Sequence, residues 1–483
     1  MLELSAVQMA ALVRQKKISS IELVSAHLKQ IERINPRLNA AIEVLVEPAL
    51  QAARLADAKM ARGEPCGALH GVPFSVKDSI DVAGVKTSAG TIGRREAAPA
   101  ARDAALVARL RSAGGIPIAK TNLPDLLFSF ETDNLVYGRT NNPYDLARSP
   151  GGSSGGESAL LAACGSPLGL GSDALGSVRV PAAFCGIASL KPTSGRLPRT
   201  GHVPPAGGWV EAVWQIGPMA RHVEDLALAM ELLASPDGED FTCPPVPLFE
   251  PKLIPGLRAA LFTSNNFASC SPAVQETVRQ SARALEKLGA IIEERQPPGI
   301  ERAYELELSL LGADGAQGID AYLEEQGSRE THLLLKAFLG HMRPHQGTAG
   351  DLARRWAQWD EYRKQMTHFF GFYDVVLCPV YTQAALEHGA SVEEENFRGF
   401  SYTMAWSVAG LPAATVRCGE QAGLPINVQV VGKAWQEMTV LAVCRALESE
   451  LGGWQAPLTK AAKRRARRAR PQVLEPRTAG LSK

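Results

Sequence analysis

Short apolar runs alternate with longer amphipathic stretches along most of the chain. Runs rich in β-branched residues and bounded by turn-forming residues predict buried strands. These predicted strands lie at 72–76, 116–120, 168–171, 213–217, 257–262, 290–294, 373–380, 413–419 and 426–432. Stretches in which apolar residues recur every three or four positions predict helices. These helices lie at 5–34 (two helices), 103–113, 153–164, 222–234, 272–288 and 436–450, with a charge-rich helical region from about 300 to 370.

The second N-terminal helix carries a recognisable start signal. Ser19 is followed three positions later by Glu22, the capping-box pattern that satisfies the free amide groups of a first helical turn. Strands and helices that alternate in this way predict an α/β fold, with helices packed on a mostly parallel or mixed sheet. We therefore expect an α/β/α sandwich around a large mixed, mostly parallel sheet.

Composition excludes several classes of protein. The 483 residues are 45% hydrophobic and 21% charged, with 51 basic and 50 acidic side chains, so no global bias toward nucleic acid or membrane exists. The eight cysteines are scattered and form no CxxC pair, which argues against a zinc site or a disulfide framework. No secretory signal and no run of about 18 apolar residues is present. We expect a cytoplasmic protein with reduced thiols and no membrane span.

Two minor patterns suggest metal or nucleic acid only weakly. His341 and His345 are four residues apart, but Pro344 lies between them and no carboxylate completes a metalloprotease pattern. Seven of the eleven residues from Lys460 to Arg470 are basic, without aromatic residues between them. Isolated terminal charge runs are commonly solvated. We therefore predict a basic, weakly ordered tail over 456–483, no metal site and no nucleic-acid site.

The segment SPGGSSGGES, 149–158, combines four glycines with adjacent serines before an apolar run. A phosphate-binding loop would need a lysine after the last glycine, and Glu157 stands near that position instead. Residues 151–155 match GxSxG, the nucleophile turn of α/β-hydrolases, but no histidine further along has a recognisable context. A plain loop before a helix is the third interpretation.

A second serine cluster, GSDALGSVRVP at 171–181, favours acyl-transfer chemistry. Ser177 follows a glycine and precedes a short helix predicted to start near Val178. Successive N–H groups at a helix start can bind an oxyanion, and a serine beside them can attack a carbonyl. Ser177 has no histidine neighbour, so it needs another base.

Together these motifs resemble the amidase signature family. The resemblance rests on Lys77 in GVPFSVKDSIDVAG, on Ser153 in SPGGSSGGES, and on Ser177, which lies 24 residues after Ser153. Further similar segments lie at 119–130, 138–152, 216–227 and 409–419. The similarity covers nearly the whole chain and is weakest between about 240 and 400.

The resemblance implies a fold, a domain organisation and three catalytic roles. One amidase signature domain would span 1–455, with N-terminal helices at 1–60, a signature core at about 61–235, and a variable helical substrate-side region at about 300–370. Ser177 would be the nucleophile that forms an acyl-enzyme. Ser153, preceded by a cis peptide bond in the family, would pass the proton to Lys77, the terminal base. No metal or organic cofactor is implied.

A lysine base must be neutral, whereas the pKa of a free lysine is about 10.4. Burial without a paired anion can lower that pKa to about 7. The apolar segment VPFSVK supports such burial of Lys77. Asp78 follows immediately, but on a strand its side chain would point to the opposite face.

The resemblance also implies an oxyanion hole and its supports. Backbone N–H groups of Ala174, Leu175, Gly176 and Ser177 would bind the oxyanion. The family usually has Gly or Ala where this chain has Leu175, so we predict that Leu175 has a negative φ and turns its side chain toward the substrate channel. Arg179 and Asp173 would be structural, holding the two loops together.

Substrate preference follows from a few residues. Leu127, Phe128 and Ser154 are predicted to contact substrate, since LPDLLFSFET at 123–132 resembles fatty acid amide hydrolases. Val180 and Pro181 stand where tRNA-dependent amidotransferases tend to carry a polar glutamine. An apolar acyl or aryl amide, ester or carbamate is therefore favoured over free glutamine. The alternatives are a glutaminase subunit of a tRNA-dependent amidotransferase and an inactive amidase scaffold that binds ligands. We expect a monomer or homodimer; the sequence does not identify the natural substrate.

Overall fold

The computed structural model describes residues 1–205, 210 and 212–457. Its eleven strands are β1 (Ala41–Val44), β2 (Pro73–Lys77), β3 (Ile116–Thr121), β4 (Leu168–Asp173), β5 (Ala188–Lys191), β6 (Gln215–Ala220), β7 (Arg258–Leu261), β8 (Ile291–Glu294), β9 (Val375–Pro379), β10 (Ala413–Gln421) and β11 (Leu424–Gly432). Every strand predicted from the sequence is present among them. The predicted basic tail lies outside the described residues from 458 onward.

Fifteen α-helices accompany these strands in the described residues. They are α1 (Ala6–Arg14), α2 (Ser20–Leu38), α3 (Val46–Ala61), α4 (Ala105–Ser112), α5 (Gly155–Ala162), α6 (Arg179–Cys185), α7 (Val223–Leu233), α8 (Pro272–Lys287), α9 (Ala303–Leu311), α10 (Gln317–Glu325), α11 (Leu333–Met342), α12 (Ala349–Phe369), α13 (Glu394–Arg398), α14 (Ser401–Val408) and α15 (Glu437–Leu451). The predicted capping box at Ser19 and Glu22 begins α2, with both reciprocal hydrogen bonds formed. Across the described ranges, none of these helices has the length and apolarity needed to cross a bilayer.

All eleven strands form one mixed sheet in the order β1-β3-β2-β4-β6-β5-β10-β11-β9-β7-β8. The prediction of a mixed sheet is confirmed, but its description as mostly parallel is wrong. Six of the ten neighbouring pairs are antiparallel, and four are parallel. The physical reason lies in the connections: β10 and β11, for example, are joined by a two-residue turn, which can link only antiparallel strands.

Alternate residues of the strands pack into different cores on the two faces of the sheet, which gives the predicted three layers. Val375 and Leu377 of β9 join the core that contains residues of α1, α4, α7, α8 and α15. Val376 and Cys378 join a second core with residues of α9, α12 and α14. This separation follows from the two-residue repeat of a strand, in which successive side chains point to opposite faces.

Candidate active site

The candidate site lies where two parallel strands end side by side. Lys77 is the last residue of β2, and Ser172 is the second-to-last residue of β4. These strands are hydrogen-bonded neighbours that run in the same direction. Because parallel strands end at the same edge of a sheet, residues 95 positions apart in the chain meet there.

Lys77 is completely buried and has three oxygen partners. Its Nζ atom lies 2.6 Å from the hydroxyl oxygen of Ser153, 3.1 Å from the hydroxyl oxygen of Ser172, and 3.5 Å from the Ser172 carbonyl oxygen. The predicted contact between the lysine and Ser153 is thus present in the fold.

Burial lowers the pKa of Lys77 to about 7, against the opposing influence of the Asp173 and Glu157 carboxylates. Burial also raises the pKa of Glu157 to about 7, although Ser75 and Thr121 donate hydrogen bonds to its carboxylate. Asp78 does not pair with Lys77; its carboxylate lies 3.2 Å from Lys120, as expected from the alternation along the strand. Lys77 can therefore be neutral near pH 7.

Ser153 sits in the glycine-rich loop directly before α5. The Gly152–Ser153 peptide bond is cis, as the family resemblance implies. A Cβ atom on Gly152 would approach the backbone oxygens of Ser129 and Glu131 to 2.7 and 2.5 Å, closer than any side chain permits. Glycine is therefore required here so that the loop can pack against the neighbouring chain segment.

The loop between β4 and α6 carries Ser177 and a row of free amide groups. None of the four backbone N–H groups from Ala174 to Ser177 donates a hydrogen bond to another described residue. Gly176 has a φ of 142°, and a Cβ atom there would collide with Thr403. A row of unsatisfied N–H groups beside a serine has the chemical character of an oxyanion site.

Leu175 does not adopt the left-handed conformation that would require glycine, so the predicted sign of its φ is confirmed. Its side chain lines the adjoining cavity and belongs to the same apolar cluster as Phe130 and Val180. The hydroxyl of Thr403 donates a hydrogen bond of 2.6 Å to the Leu175 carbonyl oxygen, which fixes this peptide in place.

Asp173 and Arg179 form a buried bidentate ion pair at the base of this loop. The guanidinium Nε and Nη2 atoms each lie 2.9 Å from a carboxylate oxygen, and both side chains are fully buried. Arg179 also donates hydrogen bonds to Thr403, Ser407 and Gln429. The pair joins the Ser177 loop to α14 and β11, the structural role expected for it.

Ser154 does not occupy the substrate-contacting position predicted for it. It is fully buried, lies outside the cavity lining, and donates its backbone N–H to the Ser177 carbonyl oxygen at 3.1 Å. Its hydroxyl bonds to the backbone of Ser172. The physical reason is that the two serine-bearing loops need a polar tie where they meet, and Ser154 provides it.

Ser153 and Ser177 both open into a cavity of about 780 Å³. The hydroxyl of Ser177 has no hydrogen-bond partner among the described residues. Leu127 and Phe128, both predicted to contact substrate, line this cavity. Most of the remaining lining is apolar and includes Leu126, Phe130, Leu175, Val210, Trp214, Leu310, Leu311, Ile319, Phe338, Met342 and Leu352.

Two polar residues of the site were missed by sequence reasoning. Ser172 contacts Lys77, and His202 contacts Ser172, with 3.1 Å between the His202 Nε2 atom and the Ser172 hydroxyl oxygen. Ser172 adjoins Asp173 inside the second serine cluster, so its neighbourhood was a usable signal. His202 is a single histidine in a loop, and nothing in its local sequence marks it.

A family model described as Amidase matches residues 22–441. The chain belongs to the amidase family. This amidase is 32% identical to a glutamyl-tRNA(Gln) amidotransferase subunit of Carboxydothermus hydrogenoformans, over 92% of this chain and 96% of that protein. It is also 32% identical to human fatty-acid amide hydrolase 2, over 95% of this chain and 91% of that protein.

Solved structures agree with this assignment. The structure of 6-aminohexanoate cyclic dimer hydrolase superimposes with a TM-score of 0.83 at 28% identity, covering 93% of this chain and 97% of that one. Fatty acid amide hydrolase gives a TM-score of 0.85 at 26% identity, covering 93% and 85%. The α/β fold predicted from the sequence is thus the fold of amidase signature enzymes.

The two histidines considered as metal ligands face different partners. His341 stacks on Phe397 and lies 3.8 Å from Glu394, whereas His345 lies 3.5 Å from Glu305. Within the described ranges, no group of three or more His, Cys, Asp or Glu side chains is arranged to hold a metal ion.

Proposed function

We propose that this amidase is a serine hydrolase that cleaves the C–N bond of carboxamides with an apolar acyl or aryl group. Ser177 would be the nucleophile, Ser153 the proton shuttle and Lys77 the base. The observation that carries this proposal is the 2.6 Å contact between the buried Lys77 amine and the Ser153 hydroxyl, at the wall of the cavity that also exposes Ser177. A neutral amine in this position can accept a proton only through that serine.

The proposed reaction has two halves. The Ser177 oxygen attacks the amide carbon while its proton passes to Ser153, whose own proton moves to Lys77. The oxyanion forms beside the N–H groups of residues 174–177. The C–N bond then breaks, and the leaving amine takes the proton back from Lys77 through Ser153. Water attacks the acyl-enzyme along the same proton path and releases the carboxylate. These steps use protein groups alone, without a metal or cofactor.

The shape and lining of the cavity support an apolar substrate. Its volume of about 780 Å³ is in the range of pockets that hold drug-sized ligands, roughly 300–1,000 Å³. Burying an apolar chain against such a wall is favourable, at about 25 cal/mol per Å². Val180 is packed into the apolar cluster beside the cavity and offers no polar group to free glutamine. Esters and carbamates with the same apolar groups would fit the same chemistry.

A glutaminase subunit of a tRNA-dependent amidotransferase is the second candidate. The 32% identity to the Carboxydothermus amidotransferase protein favours it. Such a chain would need partner proteins and tRNA, whereas the proposed hydrolase would act alone as a monomer or homodimer. We place that hydrolase in the cytoplasm and assign its activity to a single domain over 1–455.

Purified protein assayed without partners distinguishes these functions. The substrates are p-nitroanilides of graded acyl length, aryl carbamates and free glutamine, with gel filtration of the same sample. We expect kcat/KM to rise with acyl length and glutamine to be a poor substrate. Hydrolysis of glutamine alone would favour the role in an amidotransferase. No turnover of any compound, together with tight binding of the apolar ones, would favour an inactive scaffold.

A further inference from the structure

His202 lies behind Ser172, on the side away from Lys77. Its Nε2 atom is 3.1 Å from the Ser172 hydroxyl oxygen, which is itself 3.1 Å from the Lys77 amine. Its Nδ1 atom is 3.1 Å from the Pro204 carbonyl oxygen. The ring meets Trp214 edge-on, with 4.2 Å between centroids, so its plane is fixed. Ser172 and His202 thus form a chain of contacts that ends at the proposed base.

The direction of each hydrogen bond in this chain follows from the partners. A carbonyl oxygen only accepts, so the His202 proton belongs on Nδ1, toward Pro204. Burial lowers the pKa of His202 well below its ordinary value, and the nearby cations Lys77, Arg199 and Lys120 act in the same direction. The ring is therefore neutral, and Nε2 can only accept. Ser172 must then donate its hydroxyl proton to His202.

This commitment restricts what Ser172 can do for Lys77. A neutral amine has two N–H donors and one lone pair. The Ser172 hydroxyl, whose proton points to His202, can only accept from the amine, and so can the Ser172 carbonyl oxygen. Both N–H groups of Lys77 thus have acceptors, at 3.1 and 3.5 Å. The lone pair is left facing Ser153, the shortest of the three contacts.

We propose that His202 is a positioning residue that, through the Ser172 hydroxyl, directs the lone pair of Lys77 toward Ser153. The inference rests on the proposed function, because the direction of the lone pair matters only if Lys77 is the base. Without His202, the Ser172 hydroxyl is free to turn and donate its proton to Lys77. It would then compete with Ser153 for the same lone pair.

Labelling of Ser177 by a small fluorophosphonate tests this without knowledge of the natural substrate. The rate is measured at alkaline pH, where Lys77 is neutral. His202→Ala should slow labelling by about 10- to 100-fold, the usual loss when a partner that orients a functional group is removed. Ser172→Ala should lose less, because no second hydroxyl then competes for the lone pair. In the Ser172→Ala background, His202→Ala should change the rate by less than about threefold.

The matched control is His27→Ala. His27 is also buried, but it bonds to the Gly165 carbonyl oxygen and does not line the cavity. Its loss should leave the labelling rate unchanged. If His202→Ala does not fold, the pair His202→Gln and His202→Asn makes the same comparison. The longer glutamine presents a carbonyl acceptor toward Ser172 and should restore most of the rate, whereas the shorter asparagine should not.

The outcomes separate the two proposals. An unlabelled Ser177 in the wild-type protein would refute the proposed function itself. Normal labelling of the wild type with an equal loss from His202→Ala in both backgrounds would overturn the positioning role, because the effect would not pass through Ser172. Wild-type rates in His202→Ala would overturn it as well.

Discussion

The Nζ atom of Lys77 lies 2.6 Å from the hydroxyl oxygen of Ser153, and both side chains are buried. The two residues are 76 positions apart, and the end of β2 and the loop before α5 bring them together. A buried amine in contact with a serine at a cavity wall is the arrangement that a proton relay to a second serine requires. The following expectations test that relay and its surroundings.

The reaction should gain rate as pH rises through about 7 and then level off. The pKa of Lys77 is lowered to about 7 by burial, so the amine is charged below this pH and neutral above it. Only the neutral amine accepts a proton. We expect Lys77→Ala to abolish this pH-dependent limb in labelling rates measured from mildly acidic to alkaline pH. Lys191 is equally buried, also has a pKa of about 7, and bonds to the Pro192 carbonyl oxygen, so Lys191→Met should keep the limb.

Replacement of Ser177 by alanine should abolish turnover and all labelling by fluorophosphonate. The reason is that Ser177 opens into the cavity and its hydroxyl would be the attacking group. Mass spectrometry of the labelled wild-type peptide locates the modified residue. Ser158→Ala is the control, since Ser158 is buried in α5 and lies outside the cavity lining. Modification of Ser153 instead of Ser177 would contradict the assignment and favour the GxSxG interpretation.

Ser153→Ala should lose much of the rate and keep slow acylation of Ser177. Without its hydroxyl, Lys77 has no shuttle toward Ser177, while the oxyanion site and the nucleophile remain. General acid–base steps commonly contribute about 10²- to 10⁴-fold, which sets the expected loss. Burst-phase kinetics with an activated ester measures acylation directly. A rate equal to that of the wild type would exclude Ser153 from the proton path.

Leu175→Gly should broaden the range of substrate sizes. The leucine side chain lines the cavity, and its backbone does not need the freedom of glycine. Its removal widens the space beside Ser177 while the N–H groups stay in place. We expect turnover of small amides to change by less than about tenfold, roughly 1.4 kcal/mol in barrier height. Loss of labelling in this variant would indicate that Leu175 holds the oxyanion site together.

Arg179→Met should destabilise the fold strongly. It leaves the fully buried Asp173 carboxylate without its bidentate partner, and breaking a buried pair in this way typically costs about 3–5 kcal/mol. Urea unfolding followed by circular dichroism measures the loss. Arg102→Met removes an exposed pair with Glu239 and should leave the midpoint nearly unchanged. Similar midpoints for both variants would mean that the buried pair contributes little.

The family, the α/β architecture and three candidate catalytic residues could be predicted from the sequence, because each is carried by a local pattern. Lys77, Ser153 and Ser177 lie in short motifs, and strands such as β2 and β9 are continuous apolar runs. Two strands, β1 and β5, were not predicted, since each has only four residues. Their pairing with strands far along the chain, rather than their own composition, makes them strands.

The sequence by itself determined which residue types and spacings are available for catalysis. The tertiary structure decided which of them meet. It turned Ser154 away from the cavity to tie two loops, and it placed His202 against Ser172, 30 positions away along the chain. It also made the antiparallel pairs of the sheet the majority. Such contacts depend on the pairing of distant strands and on burial, and neither is a property of any short stretch of chain.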